Sequence, residues 1–256
     1  MIIAIGCLEK LQYLNQNIKL WIEVGVESKN NLRYISTNQI HESIGQSLAS
    51  ALPAFYAFFG CDYLAAFCRK GKIRPYNLLK QDIPAQEAFA TLGEGSLVVP
   101  ENARQEIERF LCKVYGQKKL SSIDEVRFQV FASKYKPKKN GAQSITDVKS
   151  MDGSAMPPCF HVLQEKINRT AFVASKWCSS TEPLEPAMSP SDSGLFFEDG
   201  KYKIKLFEGG AAPRSLVILL NDADDEEEED ECEKEDGIRK EESDGEDEYE
   251  DSDDDE

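Results

Sequence analysis

Ala51-Leu-Pro-Ala-Phe-Tyr-Ala-Phe-Phe-Gly-Cys-Asp-Tyr-Leu-Ala-Ala-Phe-Cys-Arg-Lys-Gly-Lys72 is the stretch on which the reading of this chain turns. Its first part is apolar enough for a buried helix over Ala54 to Phe59. Ser50 serves as candidate N-cap, and Pro53 falls in the first turn, where its missing N–H is tolerated. Gly60 ends that helix, and Asp62 follows as the sole acid between Ser43 and Gln81. The carbonyl end of a helix carries partial negative charge, so an unpaired carboxylate there costs a few tenths to about 1 kcal/mol. Two readings compensate it. Asp62 caps a further helix from Tyr63 to Phe67 through backbone N–H groups, or it ligates a divalent metal, Mg²⁺ or Mn²⁺.

Upstream, Ile2-Ile3-Ala4-Ile5-Gly6 is an unbroken apolar run ended by glycine, which predicts a strand buried on both faces in a parallel sheet. Leu8 to Gln16 then reads as a helix. Ile18 to Val24 alternates with charge on one face and predicts a second strand, and Leu32 to Ile35 a third. The expected fold class is therefore α/β, opening on a partial parallel sheet with helices over residues 1–92. Helices are expected at 38–44, 74–81, 85–91, 101–115, 123–134 and 158–178. The stretch 101–115 is amphipathic through Ile107, Phe110, Leu111 and Val114. Residues 93–180 are thus a helical extension.

Three prolines and no periodicity make 181–193 a linker. A small β-hairpin segment, 194–221, follows it: Leu195 to Glu198 and Tyr202 to Leu206 flank Asp199-Gly200, the strongest short hairpin signal in the chain. Residues 222–256 hold 24 acids against Lys234, Arg239 and Lys240, a balance of −21. Such a composition cannot bury a core, so a disordered acidic tail is expected there. Since the whole chain carries −16, residues 1–221 carry +5, a mildly basic body.

Seven cysteines without a C-x-x-C pair argue against a disulfide framework and for an intracellular setting, nuclear or cytoplasmic. His41 and His161 lie far apart with no cysteine at ligand spacing, so no zinc site is expected and His161 reads as structural. The longest apolar runs fall short of the roughly 20 residues that cross a bilayer, and no signal peptide is evident, so no membrane partner is expected.

Gly60-Cys61-Asp62-Tyr63 after an apolar helix resembles the G-x-D-Y element of flap endonuclease and XPG-type nucleases, members of the PIN-like superfamily. The wider stretch from Leu52-Pro53 to Gly71-Lys72 resembles uncharacterised, transposon-associated animal proteins with a PIN-like core. Glu125-Val126-Arg127-Phe128, Pro157-Pro158-Cys159 and Glu208 to Pro213 extend the likeness. The resemblance implies that Asp62 is one ligand of a two-metal nuclease centre using Mg²⁺ or Mn²⁺. The Asp-Thr-Asp-type triplet that precedes the first strand in that group has no counterpart here, since Met1 lies just inside the strand. An N-terminally truncated core is therefore implied, inactive as written.

From the residues themselves, one aspartate cannot assemble a two-metal cage, and Glu9, Glu23, Glu27 and Glu42 read as scattered, solvated acids. No catalytic residue is assigned. The basic residues Arg69, Lys70, Lys72, Arg74 and Lys80 form a run that attracts phosphates, with Tyr63, Phe67 and Tyr76 as stacking surfaces. Further lysines cluster at Lys113, Lys118 and Lys119 and between 134 and 139. The competing expectation is a non-enzymatic module that binds nucleic acid through this run, or basic proteins through 222–256. Ser243 and Ser252, each followed by acids, suit acid-directed kinases.

Overall fold

Trp21–Val24 (β1) and Arg33–Ser36 (β2) pair antiparallel, with Trp21 opposite Ser36 and Val24 opposite Arg33, in the computed structural model, which describes residues 5, 6, 8, 17–96, 98–134, 153–180 and 189–209. The expected parallel arrangement is not found among the described residues. The reason is the connection: residues 25–32 are too few for the crossover that parallel neighbours need, whereas a tight return suits an antiparallel pair. That return uses Gly25 at φ 98°, a short 3₁₀ turn at Glu27–Lys29 and Asn30 at φ 51°. The pair is largely open to solvent, with Trp21 and Tyr34 exposed. Glu23, Glu27 and Glu42 are exposed as well.

The N-terminal run also departs from expectation. Ile5, Gly6 and Leu8 are helical, and Ile5 is buried against Ala49 and Leu52. A short apolar run does not by itself distinguish a buried strand from a buried helical turn, and packing decided for the turn. A Cβ on Gly6 would come within 2.4 Å of the Pro53 ring, so only glycine permits this approach. Positions 2–4 and 9–16 lie outside the described residues.

Thr37–Ile44 (α1) begins at Ser36, whose hydroxyl accepts from the Gln39 N–H, and ends at Gly45. Gly45, at φ 80°, breaks the chain and lets Gln46–Phe58 (α2) start well before the expected helix. Ser50 is consequently interior to α2 and not its cap, and Pro53 lies in mid-helix. Its missing N–H leaves the Ala49 carbonyl without the ordinary partner.

Ile73–Leu79 (α3), Ile83–Leu92 (α4), Glu101–Val114 (α5), Ile123–Lys134 (α6) and Phe160–Cys178 (α7) fall close to the predicted helices. Leu195–Glu198 (β3) and Lys201–Ile204 (β4) form the expected hairpin. The protein is thus mixed α/β, mostly helical, with two small antiparallel hairpins among the described residues. All described residues belong to one unit, 1–213. The second unit, 214–256, with the expected tail, Ser243 and Ser252, lies outside the described residues, as do 181–188 of the expected linker.

One apolar core joins α2, α4, α5 and α7. At its centre Phe55, Phe58, Phe59, Phe89 and Phe110 meet mainly in tilted and edge-to-face pairs with centroids 4.8–6.3 Å apart, the arrangement that ring quadrupoles favour. Each such ring, fully buried, contributes about 1.5–3 kcal/mol.

Polar side chains fix the ends of the helices on this core. Asp82, buried, accepts from the Ala85 N–H as the cap of α4, from Arg109 Nη2 at 2.7 Å and from Lys113 Nζ at 2.7 Å. Glu108, also buried, accepts from the Ile123 N–H at 2.8 Å and so caps α6 from α5. Arg104 of α5 donates to Gln164 Oε1 at 2.8 Å and Asn168 Oδ1 at 2.6 Å on α7.

Candidate nucleic-acid interface

The segment between α2 and α4 carries the residues singled out by the sequence. Gly60 leaves α2 at φ 108°, and a Cβ there would meet Ala66 at 2.7 Å, so the chain can double back only through glycine. Cys61 and Leu64 then exchange two backbone hydrogen bonds, at 3.0 and 3.2 Å, and put Asp62 and Tyr63 at the tip of a tight turn. No helix follows from Tyr63 to Phe67, so the capping reading of Asp62 is corrected: a close β-type turn replaces the expected helix start. Asp62 is exposed and makes no hydrogen bond or ion pair among the described residues.

A two-metal centre needs several hard oxygen ligands around ions roughly 3.5–4 Å apart. Among the described residues no group of three His, Cys, Asp or Glu side chains could hold a metal ion. Asp62 by itself does not fit such a centre.

The five basic residues occupy a continuous stretch of chain beside this turn. Lys70 Nζ lies 4.6 Å from the centre of the Tyr115 ring at the end of α5, and Lys72 Nζ lies 4.6 Å from the Tyr56 ring of α2. Lys80 Nζ lies 5.4 Å from the Tyr76 ring of α3. Each of the three ammonium groups is therefore seated on a different tyrosine. Each contact is worth about 0.5–1 kcal/mol at an exposed site, and at Lys72 and Lys80 it leaves part of the ammonium open to an anion. Arg69 and Arg74 are exposed. No carboxylate among the described residues pairs with Lys72, Arg74 or Lys80.

Of the expected stacking surfaces, Tyr63 is exposed and Tyr76 half-buried beneath Lys80. Phe67 is instead a core residue, in contact with Phe58 and Phe59. Its apolar ring has no hydroxyl to keep one edge wet, so it packs inward. Lys113, expected in a second basic cluster, is committed to Asp82, while Lys118 and Lys119 are exposed. Residues 135–139 lie outside the described residues. Tyr56 and Tyr115 were not singled out by the sequence, because each lies far along the chain from the lysine it carries.

Two of the stretches that carried the resemblance meet in space. Arg127 Nη1 donates to the Pro157 carbonyl, and Asp124 Oδ1 accepts from the Phe160 N–H at 2.9 Å, which fastens α6 to the start of α7. His161 stacks on Phe207 with centroids 5.3 Å apart.

No family model, curated protein or solved structure matches this chain. Among the described residues no helix is long and apolar enough to cross a membrane.

Proposed function

We propose that the body of this protein is a non-enzymatic nucleic-acid-binding module, the vestige of a mobile-element-related PIN-like nuclease, working inside the cell in the nucleus or cytoplasm. The observation that carries the reading is the seating of Lys70, Lys72 and Lys80 on tyrosine rings beside Arg74, with no carboxylate among the described residues paired to Lys72, Arg74 or Lys80. Held on aromatic supports, Lys72 and Lys80 keep their positions without a paired carboxylate among the described residues. They can then release counterions from phosphates, and the exposed Tyr63 offers a face on which a base stacks. The solitary, exposed Asp62 supports binding without cleavage by Mg²⁺ or Mn²⁺. The acidic stretch 222–256 favours a second reading, capture of basic proteins, and its −21 also opposes phosphate binding by the body.

The test is the salt dependence of single-stranded DNA and RNA binding by the full chain, by a form lacking 222–256, and by the Lys72→Gln, Arg74→Gln, Lys80→Gln triple variant. Deleting the tail should tighten binding. The triple variant should flatten the plot of log K against log[salt] by about 2, three contacts at about 0.7 each. An unchanged slope would remove the proposed interface, and absence of binding by all three forms would remove the nucleic-acid reading.

A further inference from the structure

We propose that Lys166 on α7 is a modification site that takes a small acyl group from an acyl thioester, its amine held in a box of Phe58, Phe67 and the Ala65 carbonyl. Lys166 Nζ lies 4.7 Å from the Phe67 centroid and 5.6 Å from that of Phe58, and it donates to Ala65 O at 2.5 Å. An ammonium has three N–H donors to satisfy, and this box supplies one hydrogen-bond acceptor besides the two ring faces. No carboxylate among the described residues pairs with it. The amide of an acylated lysine is neutral and keeps one N–H for the Ala65 carbonyl.

The same surroundings prepare the nucleophile. Burial in the aromatic box lowers the Lys166 pKa from 10.5 to about 8, and the guanidinium of Arg169, one turn along α7, lowers it further. The nearby Cys61 thiol acts weakly in the opposite sense. The neighbouring Glu165 carboxylate lies 3.7 Å from Arg169 Nη1. At pH 7.4 about a fifth of such an amine is neutral, against about one in a thousand for an ordinary lysine. The neutral amine attacks the thioester carbonyl, the N–C bond forms as the C–S bond breaks, the thiolate leaves and water takes the proton from nitrogen.

The experiment uses the full chain and limiting S-acetyl-N-acetylcysteamine at pH 7.4. Peptide mass spectrometry follows acetylation of Lys72, Lys80 and Lys166 within the same molecules, in native conditions and in denaturant. Lys166 should react at least about tenfold faster than the other two in the native protein, with its rate half-maximal near pH 8, and the ratio should fall to about one on unfolding. Equal or slower reaction at native Lys166 would overturn the proposal. An advantage that persists in denaturant would overturn it too, by tracing the reactivity to local sequence and not to the box.

Discussion

Asp62 and Asp82 each follow the end of a helix, and each lies next to the same run of lysines and arginines, yet their environments are opposite. Asp82 is buried, caps α4 and holds Arg109 and Lys113. Asp62 stands at the exposed tip of a turn. Around Asp82, cations are consumed by the fold. Beyond Asp62 in the chain, Lys72 and Lys80 rest on tyrosines, and no carboxylate among the described residues pairs with them. A charged residue is thus structural where the fold supplies its partner and available for binding where it does not.

The largest test of this contrast is Asp82→Ala. It removes a helix cap and the carboxylate that Arg109 and Lys113 share, although Arg109 keeps its pair with Glu106 at 2.6 Å. Because Arg109 and Lys113 remain about a quarter exposed, water offsets part of the loss, and destabilisation of about 2 kcal/mol is expected in urea unfolding. A loss under about 0.5 kcal/mol would show the latch to be dispensable.

Its pH dependence has a fixed sign. Burial pushes the Asp82 pKa up, but hydrogen bonds and charge from Arg109 and Lys113 outweigh it and hold the carboxyl below its ordinary 3.8. The latch should therefore contribute fully above that value and fade as the pH falls through the lowered one.

Glu108 sharpens the comparison with a smaller effect of opposite sign. Burial raises its pKa above the ordinary 4.5, against the hydrogen bond from Ile123. Its burial then costs stability as the pH rises above that value through the raised one, and the cost is complete at higher pH. Glu108→Gln keeps the oxygen that Ile123 needs and removes the charge, so it should leave stability unchanged or raise it by up to about 1 kcal/mol at pH 7. Thermal melts at pH 7 and pH 4 check this: the variant should gain relative to wild type at the higher pH, and a loss there would refute the account.

The smallest expected effect belongs to Asp62→Asn, within about 0.5 kcal/mol of wild type in the same unfolding measurement. It should not weaken nucleic-acid binding. A destabilisation above 1 kcal/mol would mean that the turn depends on this carboxylate.

Where a signal is local, the sequence carried it to the right place. Asp199-Gly200 predicted the hairpin, and both residues take the positive φ, 52° and 75°, that a two-residue primed turn requires. The repeat of Ile107, Phe110, Leu111 and Val114 placed α5, and those four residues are buried. The basic run and the isolation of Asp62 in sequence were equally legible, since both depend only on residue identity and order.

What the sequence left open was whatever depends on residues distant along the chain. An apolar run such as Ile2 to Ile5 suits a strand or a helical turn alike, and the fit of Gly6 against Pro53 is a tertiary contact. No local pattern says that Asp82 will meet Arg109 and Lys113, that Lys70 will rest on Tyr115, or that Phe58 and Phe67 will lie against Lys166. Residue types and their periodicity determine which faces seek burial; only the packed core decides which charged side chains end beside an acid, beside a ring or in water, because those partners are brought together by the chain's closure and not by its order.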